Sequence, residues 1–91
     1  MKERDIVNAI KKALVEKGAW VVKTHGSPHL AGLPDILVCY QGRFIALEVK
    51  RPETRNTVTL RQQHFLDAIA AAGGTAAVVT SVDEALSYLP T

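Results

Sequence analysis

The sequence contains only one cysteine among its 91 residues, which excludes an intramolecular disulfide and a zinc site built from cysteines. That residue, Cys39, lies in an apolar run and is predicted to be buried. No apolar segment approaches the roughly 20 residues that a membrane-spanning helix needs, and the charged start Met1–Asp5 has no hydrophobic stretch typical of a signal peptide. We therefore expect a cytoplasmic protein with no membrane partner.

Glycine and proline are also few, and 47% of the residues are hydrophobic, a composition typical of a folded chain. We expect a single domain over residues 1–91, near the small end of what buries an adequate core, so oligomerisation is a real option. The formal net charge of +2 is too small to indicate a nucleic-acid partner by itself. The placement of the charges is more informative than their sum.

Hydrophobic periodicity predicts three helices and four strands. Gly18 ends the first helix, Thr59 and Ser81 are suited to cap the next two, and Gly73-Gly74 stops the second. The predicted helices cover residues 3–17, 60–72 and 82–89, and the predicted strands cover 19–23, 36–40, 44–50 and 75–79.

The turns between these elements predict how the strands pair. Gln41-Gly42-Arg43 joins two β-rich runs with the spacing of a hairpin, so these strands should be antiparallel. The last strand follows a helix, which favours a mixed sheet with helices on its faces. The predicted fold is therefore α/β in the order α-β-β-β-α-β-α. Segment 24–34 is a long loop for so small a domain and is a candidate wall of a functional site.

Strand 44–50 places an acid and an amine side by side. Because side chains alternate along a strand, Glu48 and Lys50 share one face. Asp35 begins the preceding strand, so a hairpin would bring it near Glu48. Two carboxylates beside a lysine suit Mg²⁺ or Mn²⁺, which would polarise a phosphate and acidify water, while Lys50 would stabilise developing negative charge. The alternative is a Glu48–Lys50 surface pair worth less than about 1 kcal/mol.

Two helical residues are in phase with this site. Glu3 lies on the apolar side of the first helix and could complete the metal site, although it could equally be an acid stabilised by the helix N-terminus. Gln62 lies on the inward face of the second predicted helix, whereas Gln63 is rotated by about 100°. An inward amide near the start of that helix could bind substrate or a metal-bound water.

Four basic residues flank the proposed site: Lys23, Arg51, Arg55 and Arg61. They could follow a phosphate backbone, although each could also be an ordinary solvated charge. In the long loop, His25 and His29 could contact phosphate or transfer protons, but with no third ligand near them a zinc site is not expected. Trp20 and Tyr40 are expected in the core or at an interface rather than as base-stacking residues.

Five short motifs follow one another along the chain: Gly32-Leu33-Pro34-Asp35, Gly42-Arg43-Phe44, Glu48-Val49-Lys50-Arg51-Pro52, Thr59-Leu60-Arg61-Gln62 and Phe65-Leu66. Together they resemble the VRR-NUC (virus-type replication-repair nuclease) family of the PD-(D/E)XK superfamily. Lys23-Thr24-His25-Gly26-Ser27 resembles the family's lead-in to its Pro-Asp motif, which adds Ser27 to the predicted DNA contacts. The resemblance covers almost the whole chain.

The resemblance implies a restriction-endonuclease-like αβββαβ core that hydrolyses DNA phosphodiesters with Mg²⁺ or Mn²⁺. By position, it implies these roles: Asp35 and Glu48 as metal ligands with the Val49 carbonyl, Lys50 as the catalytic lysine, Glu3 as the first-helix acid and Gln62 as the helix glutamine. Compact members resemble dimeric Holliday-junction resolvases, in which two active sites cut symmetrically related strands.

Our leading hypothesis from the sequence is a homodimeric, structure-selective DNA endonuclease of phage or prophage origin that cuts four-way junctions. Such cutting requires a two-fold dimer. Three alternatives remain open at this point: a nicking or flap nuclease without junction preference, a DNA-binding module that has lost catalysis, and a small structural domain whose motifs arise by chance.

Overall fold

A computed structural model describes residues 1–24 and 30–90, in which three α-helices accompany one four-stranded sheet. The helices are α1 (Glu3–Glu16), α2 (Leu60–Ala71) and α3 (Val82–Leu86), and the strands are β1 (Trp20–Lys23), β2 (Ile36–Tyr40), β3 (Arg43–Val49) and β4 (Thr75–Val79). A 3₁₀ turn covers Pro52–Thr54. The predicted order of helices and strands is confirmed.

The sheet has the order β1-β2-β3-β4 and is mixed, as predicted. The β1–β2 and β2–β3 pairs are antiparallel, and β3–β4 is parallel. The hairpin turn between β2 and β3 has two residues, Gln41 and Gly42, both with positive φ (49° and 77°). This is the turn type whose twist matches the flanking strands. Because the turn is this short, β3 already begins at Arg43, one residue earlier than predicted. It is an inner strand, since it pairs with β2 on one side and β4 on the other.

One face of the sheet packs against α1 and α3. The α1 stripe is Ile6, Val7, Ile10 and Leu14, all buried. It packs against the inward-facing strand residues Ile36, Val38, Ile45, Leu47, Val49 and Val79. Tyr40 is half-buried against this core, as predicted. Because each large apolar side chain contributes about 1.5–3 kcal/mol when fully buried, most of the hydrophobic stabilisation resides on this face.

The second face of the sheet is covered by α2 only over β3 and β4. Thr59 caps α2 as predicted, and Gly73 follows the helix with a φ of 100°. Gly74 then passes so close to the helix that an added Cβ would lie 2.8 Å from the Ile69 Cγ2 atom. The sheet and α2 therefore meet closely where β4 begins.

Over β1 and β2, the second face is exposed. Trp20 is 60% exposed and Cys39 is also exposed, so the prediction that Cys39 is buried is wrong. The reason is that α2 lies over the other half of the sheet, and an apolar strand sequence does not reveal which half a helix will cover. Within the described residues, no helix is long and apolar enough to cross a membrane.

Candidate active site

The two predicted acids meet at one end of the β2–β3 hairpin. Ile36 pairs with Leu47, so Asp35 and Glu48 occupy the next position along the two strands. The Asp35 Oδ2 atom accepts a hydrogen bond of 2.7 Å from the Val49 backbone N–H. This bond holds the Asp35 carboxylate against the end of β3, while the side chain remains partly exposed.

Glu48 is 2% exposed and only partly satisfied. Its Oε2 atom accepts a hydrogen bond of 3.2 Å from Gln62 Nε2 and lies 4.0 Å from Lys50 Nζ. Its Oε1 atom is buried, and no donor among the described residues reaches it. A buried carboxylate oxygen without a partner costs about 1–3 kcal/mol or more, so this position favours a ligand that can satisfy it.

The electrostatics of Glu48 point the same way. Burial raises the pKa of its carboxyl to about 8, and the negative charge of Asp35, together with a hydrogen bond between protonated Glu48 and Asp35, adds to that rise. The Lys50 ammonium opposes it, and Glu3 contributes a further increase. An added cation would favour ionised Glu48, and the oxygen donors of Glu48 and Asp35 are the kind that Mg²⁺ and Mn²⁺ prefer. The residues present therefore fit such an ion.

Lys50 lies at the end of β3 and is 8% exposed. Its backbone N–H donates a 3.0 Å hydrogen bond to the Val79 carbonyl, which extends the parallel pairing with β4. The exposed surface pair considered as an alternative is therefore not what forms, because Glu48 and Lys50 are both buried.

Gln62 points inward to Glu48, as its helical phase predicts, whereas Gln63 donates to Asp67 on the surface of α2. Gln62 also belongs to a capping box. Its Oε1 atom accepts from the Thr59 N–H at 3.0 Å, and its own N–H donates to Thr59 Oγ1 at 3.1 Å. Since the amide oxygen is already engaged, its NH₂ group is the end that faces Glu48.

The role of Thr59 in orienting Gln62 was missed in the sequence analysis, which treated this residue as a cap alone. The signal was present, because Thr59 and Gln62 have the spacing of the capping-box pattern Ser/Thr-x-x-Glu/Gln. The same four residues thus begin the helix and orient an amide toward the buried acid.

Glu3 lies at the start of α1 and is partly buried. Together with Asp35 it borders a pocket of about 160 Å³, which Arg4, Val7 and Asn8 also line. In residues 1–24 and 30–90, no three His, Cys, Asp or Glu side chains are grouped closely enough to hold a metal ion. Asp35 and Glu48 come together, and metal binding by Glu3 stays a prediction.

Arg55 has a partner inside the chain. Its guanidinium forms two hydrogen bonds with Glu84, of 2.9 Å and 2.5 Å, and a third with Thr80. Hydrogen bonds from Arg55 and Thr80 lower the pKa of Glu84 to about 2. Arg55 therefore fastens the loop after β3 to the start of α3, and its contact with DNA stays a prediction.

The other basic candidates lie in different settings. Lys23 Nζ donates to Asn8 Oδ1 at 2.8 Å, and Arg51 lies 3.6 Å from Glu53 at the surface. Arg61 is exposed, and its side chain packs so closely on Gly32 that an added Cβ there would lie 2.5 Å from Arg61 Cγ. This contact joins α2 to the segment before Asp35. The remaining candidates, His25, Ser27 and His29, lie outside the described residues.

Comparison with known proteins identifies the architecture. No protein-family model matches the sequence, and no curated protein matches it either. A solved structure described as "VRR_NUC domain" is similar, with a TM-score of 0.71 and 22% sequence identity, over 93% of this chain and 90% of that chain. This chain has a VRR_NUC fold. The fold that the motif resemblance implied is therefore confirmed. Within the VRR_NUC fold, the acids, lysine and glutamine meet where β2 begins and β3 ends.

Proposed function

We propose that this chain is a metal-dependent nuclease that hydrolyses phosphodiester bonds in DNA. The observation that carries the proposal is the buried Glu48 carboxylate, which lies beside Asp35, Lys50 and Gln62. One of its oxygens receives no hydrogen bond from a donor in the described part of the chain. Burying such a group costs free energy unless a ligand supplies the missing interaction. Similarity to a VRR_NUC domain supports the same reaction class.

Asp35 and Glu48 would hold Mg²⁺ or Mn²⁺, with the Val49 carbonyl and Glu3 as further candidate ligands. When bound, such an ion polarises a phosphate and lowers the pKa of water. The hydrogen bond from the Val49 N–H holds the Asp35 carboxylate in place, and the Gln62 amide does the same for Glu48. Such hydrogen bonds to the ligands keep their orientation fixed.

Lys50 would act on the phosphate itself. Its ammonium group lies 4.0 Å from Glu48 at the end of β3, and its backbone is anchored to β4. A fixed positive charge near the phosphate stabilises the negative charge that develops during hydrolysis, and losing one such contact typically costs about 10²–10³-fold in rate. The exposed Arg61, with Lys23 and Arg51, would contact the DNA backbone.

The finer proposal is a homodimeric endonuclease that cuts branched DNA, including four-way junctions, in the cytoplasm of a bacterium or of a phage-infected cell. The resemblance of the chain to compact VRR-NUC members supports this finer proposal. A nicking or flap nuclease without junction preference is the alternative, and the substrate comparison below separates the two.

The deciding experiment measures cleavage of end-labelled four-way junction, flap, single-stranded and linear duplex DNA with Mn²⁺. We expect cleavage that EDTA stops and that Lys50→Ala reduces at least about 100-fold. Lys12→Ala, which removes an exposed lysine of α1, is the matched control and should cut normally. Paired, symmetrical cuts in the junction by a dimer would support a resolvase.

Two outcomes would count against the proposal. Folded protein that cuts none of these substrates would favour a DNA-binding module. Cleavage that survives Lys50→Ala would show that another site does the chemistry. We also expect Glu48→Gln to be inactive. Calorimetry of Mn²⁺ binding to wild type and to this variant shows whether its activity is lost because the metal no longer binds or because a later step fails.

A further inference from the structure

The sheet face that carries Glu48 continues beyond α2 as an exposed apolar surface. The β-sheet register places Trp20 opposite Cys39 and Cys39 opposite Phe44, so these three side chains lie side by side on β1, β2 and β3. Trp20 is 60% exposed, Phe44 is 43% exposed, and Cys39 is exposed as well. We call these three residues the exposed row.

The exposed row lies on the same face of the sheet as the candidate active site. Phe44 and Glu48 lie on the same face of β3, four residues apart, which corresponds to about 13 Å. In the row between them, Leu37 lies between Val22 and Ala46. Ala46 is fully buried, whereas Leu37 is half-buried and Val22 is 37% exposed. None of these strand side chains is charged, so a bound chain could pass over Leu37 and Val22, rather than over the buried Ala46, without crossing an acid.

We propose that the exposed row is a stacking surface for unpaired bases of single-stranded DNA that extends from the candidate active site. This inference rests on the proposed nuclease function and names its substrate class. The rings of Trp20 and Phe44 stand on strands two spacings apart, about 10 Å. Aromatic side chains stack on bases of any sequence and contribute about 1–3 kcal/mol per base.

The size of the exposed row favours DNA over a second copy of the chain. The row is about 10 Å wide and, with Val22, includes only four exposed side chains. A stable dimer interface buries about 800 Å² and 20–30 residues on each side, far more than this patch offers. One or two bases need no more than a pair of rings.

Trp20 is the only tryptophan in the chain, so its fluorescence reports directly on this surface. In EDTA, where cleavage is blocked, we expect (dT)₂₀ to quench or shift the emission, and a blunt hairpin duplex to do so far less. Binding measured by anisotropy of labelled (dT)₂₀ should weaken about 5- to 150-fold in Trp20→Leu or Phe44→Leu, equivalent to 1–3 kcal/mol. Duplex binding should not change.

A control and a second readout make the test specific. Tyr88→Leu removes an aromatic ring of similar exposure beyond α3 and should leave (dT)₂₀ binding unchanged. Cys39 is the only cysteine and stands between the two rings. We therefore expect (dT)₂₀ to slow its alkylation by a maleimide, while the duplex leaves the rate unchanged. Thermal melting establishes that each variant is folded.

Three results would overturn the inference: no binding of (dT)₂₀ by the wild type, binding with no response from Trp20 or Cys39, and Trp20→Leu turning a dimer into a monomer with unchanged (dT)₂₀ affinity. The last would assign the row to a second copy. Because these measurements need no metal, they are independent of catalysis. Cleavage without a Trp20 response would refute only the stacking surface, and a Trp20 response without cleavage would refute only the nuclease.

Discussion

The two faces of the sheet are used very differently. The face under α1 and α3 is buried and apolar. The second face, which α2 covers only in part, holds a buried glutamate at one end and exposed aromatic residues at the other. In α2 itself, Leu66 is the buried residue. One face thus supplies most of the stability, which leaves the other free to hold groups that burial disfavours.

The sharpest contrast lies between neighbours on β3, because Leu47 points to the face under α1 and α3, whereas Glu48 points to the face that α2 partly covers. Leu47→Ala should lower the free energy of unfolding by about 2–5 kcal/mol through lost burial and a cavity. Glu48→Gln should instead stabilise the metal-free protein at pH 8–9, since it removes a buried charge, yet abolish cleavage. Urea unfolding in EDTA measures the stability changes of both variants, and the cleavage assay measures the activity of Glu48→Gln.

The stability of the metal-free protein should depend on pH through Glu48. The pKa of Glu48 rises from 4.5 in the unfolded chain to about 8 in the folded one. The folded state therefore retains a proton that the unfolded state releases, and stability should fall as pH rises from about 4.5 to 8, by roughly 5 kcal/mol at most. This fall should be smaller in Glu48→Gln. An equal slope in both proteins would contradict the assignment.

Thr59 tests whether the candidate active site depends on the cap of α2. Thr59→Ala should cost about 0.5–2 kcal/mol of stability, and it should also reduce cleavage at saturating Mn²⁺, because Gln62 loses the cap that holds it. Thr59→Ser keeps the hydroxyl and should restore both properties. Ser81→Ala, which removes the cap of α3, should lower stability without reducing the rate constant at saturating substrate. If Thr59→Ala cut at the wild-type rate, the cap would have no part in the site.

The smallest effect is expected at Arg55. Its pair with Glu84 is 33–44% exposed, so Arg55→Ala should lower stability only slightly, because solvent screens such a pair. The loss should shrink in high salt. DNA affinity measured in parallel decides whether this residue also contacts the substrate, as the sequence suggests. A drop in affinity larger than that of Lys12→Ala would support the contact.

The sequence predicted the β2–β3 hairpin and the inward phase of Gln62 because both follow from local patterns, a Gly-containing turn and a helical period. It did not predict the exposure of Cys39, since apolar residues fill β2 on both faces and the position of α2 depends on distant packing. The pairing of Arg55 with Glu84 joins residues 29 positions apart. Such contacts become visible only once the chain is folded.

The two-residue turn at Gln41-Gly42 also has a consequence for the order of folding. It brings Asp35 and Glu48 together across only 12 intervening residues, a contact that forms quickly because the loop to be closed is short. Lys50 is anchored to Val79 only after α2 crosses over and β4 docks in parallel, which closes a loop more than twice as long. The carboxylate pair should therefore assemble before the lysine is fixed beside it.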